Sequence, residues 1–186
     1  MEPKATPDPL VRLFHFRWSV PTLAAFDDFG GQAKFVMLQR RLKVNRGSLQ
    51  RTLAALIAAR LVERNPGYGH PMRPEYLLTP AGRRVATASA VLMAQIERLG
   101  ITEIALRKWS LPVALALATS DGRFNRLQEE LGTVTTRALA QALKDLQRAG
   151  LIVRQLVDES PPRADYRLTE AGHRMADVTR ALARAA

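Results

Sequence analysis

Tyr76-Leu77-Leu78-Thr79-Pro80-Ala81-Gly82-Arg83-Arg84 and Tyr166-Arg167-Leu168-Thr169-Glu170-Ala171-Gly172-His173-Arg174 are the same segment written twice, at a constant offset of 90. Each begins as a short extended run and reaches a threonine suited to cap a helix, so each reads as the second strand of a hairpin feeding directly into a helix. Working outward, Pro71 and Arg73 match Pro161 and Arg163, and Leu49, Leu53, Leu56, Ala59 and Leu61 match Leu139, Leu143, Leu146, Ala149 and Leu151. Further upstream, Phe35, Leu38, Gln39 and Leu42 recur as Phe124, Leu127, Gln128 and Leu131, and Arg17-Trp18-Ser19 with Pro21 as Lys108-Trp109-Ser110 with Pro112. A unit that spans less than half the chain and occurs only twice is a duplicated small domain and not a solenoid.

Within the first copy, the expected order is a helix from Pro21 to Asp28 ended by Gly30 and Gly31, then a helix from Lys34 to Leu42. A turn through Lys43 and Val44 follows, and Asn45 is a good N-cap for a third helix. From Arg46 to Arg60 the apolar residues Leu49, Leu53, Leu56 and Ile57 fall on a narrow stripe, leaving a basic and polar opposite face. Val62 to Arg64 and Tyr76 to Thr79 flank a stretch rich in Gly and Pro, which gives a hairpin. Helix, helix, helix, hairpin, helix is the winged-helix order. The second copy repeats it with Phe124 to Leu131, Thr135 as cap, a helix to Ala149, strands at Ile152 to Val157 and Ala164 to Leu168, and a final helix. The fold class is therefore mainly α with small β-hairpins (α+β): two tandem winged helix-turn-helix units, residues 10–99 and 100–186, linked by a long helix.

That linking helix, expected from Ala81 to Leu99, carries Val85, Ala88, Leu92, Ile96 and Leu99 at helical spacing and needs a partner. The C-terminal helix with Met175, Val178 and Leu182 is the obvious one. It would close the chain into an intramolecular pseudo-dimer, while a homodimer through the same helices is the competing arrangement.

The chain has 186 residues with 28 Lys plus Arg against 17 Asp plus Glu, for a net charge of +11, a balance that favours a polyanionic partner. The absence of cysteine excludes disulfides, thiolate metal sites and a thiol switch. Residues Met1 to Pro9 lack the apolar core of a secretory signal, and nowhere do about twenty apolar residues run together, so no membrane association and a cytoplasmic, nucleoid-associated location are expected.

In the second copy, Lys108-Trp109-Ser110, Arg123-Phe124, the leucine-spaced helix from Arg137, Gly150-Leu151, Pro161-Pro162-Arg163 and Tyr166 to Gly172 resemble, in order, the characteristic stretches of the HxlR-type winged-helix regulators. The first copy resembles them more loosely, through Arg17-Trp18-Ser19 and Tyr76 to Gly82, and its wing carries Gly67-Tyr68-Gly69-His70 where the second has Asp158 and Glu159. The resemblance implies a bacterial DNA-binding transcription regulator. Members typically carry one unit per chain, dimerise through terminal helices and often sense electrophiles through an N-terminal cysteine; this chain departs from the first and last of these.

A helix of the major-groove-reading kind contacts base edges with its N-terminal part. The expected DNA-binding residues are thus Arg46, Ser48, Gln50 and Arg51 with Lys43 beside them, and in the second copy Thr136, Arg137, Gln141 and Lys144. Arg73 and Arg163 hold the same wing position, suited to the minor groove or to phosphate. Lys34, Arg40 and Arg41 are further phosphate candidates. Residues 1–100 hold 15 basic and 7 acidic side chains (net +8) and residues 101–186 hold 13 and 10 (net +3), so the first unit is expected to grip harder. Glu129, Glu130 and Asp145 would repel phosphate unless turned away.

A tandem winged-helix scaffold for a nucleoprotein complex is the alternative, since a fold does not fix function. An enzyme is not expected. His15, His70 and His173 are scattered, Asp27 and Asp28 read as a turn, and there is no phosphate-binding glycine motif or nucleophile elbow. No cofactor or metal is called for, and the sequence leaves any small-molecule effector, the operator and the sign of regulation undetermined.

Overall fold

The computed structural model describes residues 9–65, 75–157 and 163–186. The first copy contains α1 (Pro9–Leu13), α2 (Ser19–Asp28), β1 (Gln32–Lys34), α3 (Phe35–Leu42), α4 (Arg46–Ala58), β2 (Val62–Asn65), β3 (Glu75–Leu78) and α5 (Pro80–Arg98). The second contains α6 (Thr102–Ala105), α7 (Ser110–Leu117), α8 (Phe124–Leu131), α9 (Thr136–Arg148), β4 (Ile152–Val157), β5 (Arg163–Leu168) and α10 (Glu170–Ala185). This is the duplicated winged helix-turn-helix order that the repeat implies. Arg73, Pro71 and the segment from Gly67 to His70 in the first wing, and Asp158, Glu159, Pro161 and Pro162 in the second, lie outside the described residues.

The caps explain where the helices begin. Asn45 Oδ1 accepts the Ser48 N–H at 2.8 Å, and the hydroxyls of Thr79, Thr135 and Thr169 accept from Gly82, Ala138 and Gly172 at 2.9, 3.2 and 3.1 Å. Each satisfies one of the four N–H groups a helix start leaves open. The α2 helix starts at Ser19, two residues before the expected Pro21, because a proline in the first turn removes only an N–H that has no partner there.

Three further boundaries differ from the periodicity. Lys34 is a strand residue: Gln32, Ala33 and Lys34 pair antiparallel with Leu77, Tyr76 and Glu75, giving a sheet of order β1-β3-β2. Only the alternation exposed-buried-exposed marks so short a strand. In the second copy its counterpart shrinks to one bridge, Arg123 to Asp165, beside the two-stranded β4-β5 sheet. The α4 helix stops at Ala58, before the expected Arg60, which is in the left-handed region at φ 57°. Finally, α1 is too short to show a period and is not expected from the sequence, whereas α6 falls where Ile101, Ile104 and Ala105 resume an apolar face after Gly100.

One hydrophobic core runs through both copies, from Leu10, Phe14 and Phe26 through Leu53 and Ile96 to Leu111, Leu143, Met175 and Leu182. The α5 helix, with Val85, Leu92 and Ile96 fully buried, packs against both α2 and α10, and α10 packs in turn against α7. The short helices cross over: α1 rests on α10 of the other copy, and α6 on α5. Each fully buried Val, Leu or Ile contributes about 1.5–3 kcal/mol, so exposing this helix pair would carry a substantial cost.

Gly82 and Gly172 fix how each hairpin meets its following helix. A Cβ at Gly82 would lie 1.8 Å from the Leu61 carbonyl oxygen, and one at Gly172 would lie 2.0 Å from that of Leu151. The same two carbonyls accept the N–H groups of Thr79 and Thr169 at 3.1 and 2.9 Å. Only a residue without a side chain permits this approach, which is why the Thr-x-x-Gly pattern stands in both copies.

Candidate nucleic-acid interface

The α4 helix divides as its sequence requires: Leu49, Thr52, Leu53 and Leu56 are buried, whereas Arg46, Gln50 and Arg51 are exposed. The basic rim is therefore open to solvent and the other copy does not cover it. Ser48 is half-buried, its N–H held by Asn45 and its hydroxyl accepting from Arg51 at 3.4 Å. Thr52 donates to the Ser48 carbonyl at 2.9 Å, which tightens the same turn.

Like α9, the α4 helix carries no acidic residue in its first turn, and it begins on Arg46. A cation there opposes the helix dipole by about 0.3–1 kcal/mol, while the open N–H groups and the charge together favour an anion. Lys43 adds to it from a left-handed conformation at φ 50°, a position that the second copy gives to Gly132. Among the described residues Lys43, Arg46 and Arg51 form no ion pair, in contrast to Arg41, whose guanidinium holds Asp28 at 2.8 Å. Lys34 and Arg40 are exposed beside this face.

The equivalent face of the second copy is more occupied. Thr136, Arg137 and Lys144 are exposed, but Thr136 accepts from Gln128 at 3.1 Å and Gln141 donates to Asp145 at 2.9 Å. Asp145 is buried, paired with Arg107 at 2.5 Å and approached by Arg148 at 4.0 Å. It is turned inward and neutralised, so it presents no carboxylate to a phosphate. Glu129 remains at the surface, bound to Arg126 at 3.2 Å. Arg163 is half-buried with its guanidinium 3.3 Å from Asp165. The expected residues thus form two separate basic faces, an unencumbered one on the first copy and an internally bonded one on the second.

Among the described residues no group of His, Asp and Glu is arranged to hold a metal ion, and no helix is long and apolar enough to cross a membrane.

Two helix-turn-helix motifs, each followed by a hairpin and a packing helix, define a tandem winged-helix regulator. The HxlR-like helix-turn-helix family model matches the chain twice, over residues 13–102 and 104–186, and the protein belongs to that family. An uncharacterized HTH-type transcriptional regulator of Methanothermobacter thermautotrophicus is 32% identical over 111 residues, covering 58% of this chain and 85% of that one. The uncharacterized HTH-type transcriptional regulator YtfH of Escherichia coli is 32% identical over 76 residues, 41% of this chain and 60% of its own length. Among solved structures, a protein described as a transcriptional regulator of the MarR family from Porphyromonas gingivalis W83 aligns with a TM-score of 0.42 at 27% identity, over 44% of this chain and 80% of that one. The reduced form of the regulator YodB from B. subtilis aligns at 0.39 and 26%, over 42% and 76%.

Proposed function

We propose that the protein is a sequence-specific double-stranded DNA-binding transcription regulator, acting in the cytoplasm on the nucleoid. In this reading the N-terminal half of α4 enters the major groove, and the wing meets the minor groove or the phosphates. The observation that carries it is the solvent-exposed rim of Arg46, Gln50 and Arg51 above a buried leucine stripe. Arginine pairs bidentately with guanine and glutamine with adenine, so the rim can read bases as well as hold the backbone. The second copy supplies a weaker reader through Arg137 and Lys144. With α5 packed on α10, the chain itself serves as a pseudo-dimer that addresses two unlike half-sites.

The test is duplex binding by fluorescence anisotropy across a salt titration, with a random duplex library selected in parallel. We expect log K to fall linearly with log salt, because each neutralised phosphate releases counterions, and the selected duplexes to share a motif. Duplex affinity that ignores salt, or a selection that enriches no motif, would remove the reading and favour a protein-interaction scaffold. Light scattering is expected to give one chain per particle.

A further inference from the structure

Gln141 stands in α9 where Arg51 stands in α4, at the offset of 90. Both side chains are exposed and lie outside the leucine stripe, but they are held differently. Arg51 reaches only the Ser48 hydroxyl, at 3.4 Å, and the residue one turn further on is Ala55. One turn on from Gln141 is Asp145, whose Oδ1 accepts from Gln141 Nε2 at 2.9 Å. A carboxylate accepts and never donates, so this contact fixes which end of the amide faces inward. Nε2 is bound through one N–H, and Oε1 with the second N–H is left for a ligand.

Asp145 is itself held. Its side chain is 3% exposed, and its Oδ2 accepts from the Arg107 guanidinium at 2.5 Å. Arg107 sits between α6 and α7, its N–H donating to the Ile104 carbonyl at 3.1 Å and its carbonyl accepting from the Ser110 N–H at 3.2 Å. Its charge also bears on Glu103, which binds Arg17 of the first copy at 2.5 Å. A buried carboxylate satisfied in this way is costly to move, so Gln141 is tethered to the core and not to another surface side chain. The first half lacks this tether. Counting without a gap from Trp18 and Trp109, Arg12, Phe16 and Arg17 hold the places of Glu103, Arg107 and Lys108, and at the offset of 90 Ala55 holds that of Asp145.

We infer that Asp145, braced by Arg107, is a positioning residue that aims the amide of Gln141 at adenine. Glutamine reads adenine at N6 and N7 with one acceptor and one donor, whereas arginine reads guanine with two donors. The two recognition helices therefore ask for different bases at the same place, guanine through Arg51 and adenine through Gln141. The tether also removes, before DNA arrives, the rotamer freedom that a loose glutamine would lose on binding. The second copy, with the smaller net charge, thus contributes discrimination where the first contributes affinity. The base assignment rests on the DNA-binding reading; the tether does not.

The first measurement is made on the full chain without DNA. In its nuclear magnetic resonance spectrum the Gln141 side-chain amide, assigned by its loss in Gln141→Ala, should be displaced from the solvated position and slow to exchange. Arg107→Phe with Asp145→Ala installs the first half's residues, an exchange of a buried ion pair for apolar groups that is often neutral in stability. It should return the amide to the solvated position with circular dichroism unchanged. The second measurement is the affinity for the selected duplex with each base placed in turn at each position. One position should favour adenine by about tenfold or more, and both Gln141→Ala and the double variant should reduce this to about threefold or less without altering preferences elsewhere. Arg51→Ala should mark a guanine at the corresponding position of the other half-site. Gln141→Ala is a surface change, so the base assignment is tested whether or not the double variant folds. A solvated Gln141 amide in the unaltered chain, an adenine preference that survives the folded double variant, or no lost preference in Gln141→Ala would each overturn the inference. If the unaltered chain binds no duplex, the DNA-binding reading fails and the adenine assignment with it, while the amide resonance still decides the tether.

Discussion

The two copies agree where the fold is made and part company where it faces solvent. Both use a Thr hydroxyl to cap the helix after the hairpin, both need a glycine three residues later, and both bury the same leucine spacing in the third helix. At the turn before that helix, however, the first copy has Lys43 where the second has Gly132, and just after it Arg60 stands for Gly150. All four positions have positive φ, at 50°, 57°, 57° and 67°. A side chain there costs about 1–2 kcal/mol that glycine avoids, so the first copy holds two cations at positions where the backbone would be better served without them. The difference teaches that one half is shaped for charge and the other for internal bonding.

The largest expected effect breaks that comparison directly. On the proposed function, Arg46→Glu with Arg51→Glu should lower duplex affinity by about 100-fold or more, since an arginine that contacts bases or phosphates is worth about 1–3 kcal/mol before the repulsion is added. Arg137→Glu with Lys144→Glu should cost clearly less, measured on the same selected duplex. An equal loss from the two pairs would end the claim of asymmetry.

Next in size is a change on which the two halves should behave alike. Gly82→Ala and Gly172→Ala each drive a methyl group into a backbone carbonyl that cannot retreat without unpicking the hairpin. Each should destabilise the protein by about 3 kcal/mol, as severe overpacking does. Since one core joins the copies, thermal unfolding should stay a single transition in both variants. Two separate transitions would show that the α5–α10 contact does not unite them.

How much of this was legible in the sequence follows from the same contrast. The repeat exposed the element order, the three Thr and Asn caps and the split face of α4, because helix periodicity and caps are local signals. It hid β1, which exists through pairing with Tyr76 and its neighbours, and it hid α1, which rests on α10 far along the chain. Asp145 reads in the sequence as a carboxylate near phosphate, and only the fold brings Arg107 to it across 38 positions.

The glycine-for-cation exchanges provide a smaller test. Arg60→Gly should raise stability by about 0.5–1 kcal/mol, the relief of left-handed strain less the entropy glycine adds to the unfolded chain. Its effect on duplex affinity should be slight. Lys43→Gly should give a similar gain in melting temperature while lowering duplex affinity and flattening its salt dependence by about one phosphate contact. If the two substitutions affect DNA binding equally, Lys43 is no more than a tolerated surface residue.

The smallest expected effect concerns the ion pair between Arg17 of the first copy and Glu103 of the second. The Arg17 guanidinium, by hydrogen bond and by charge and with Arg107 adding to it, holds the Glu103 carboxyl below the ordinary carboxylate value, against a minor opposing effect of burial. A carboxyl whose value is lower in the folded chain than in the unfolded one contributes stability above the unfolded value. That contribution is lost as pH falls through the folded value. The side chain is well exposed, so water and salt screen the pair and the change in melting temperature on Glu103→Gln should be small. An NMR titration of the Glu103 carboxyl is the sharper measurement. Its midpoint should lie below the usual range and return toward it in Arg17→Ala. In Arg12→Glu the new carboxylate, at the matching position of the first half, should be depressed by Lys108 in the same direction. A glutamate there that titrates as in a free peptide would mean that the repeat does not carry the geometry of one pair onto the other.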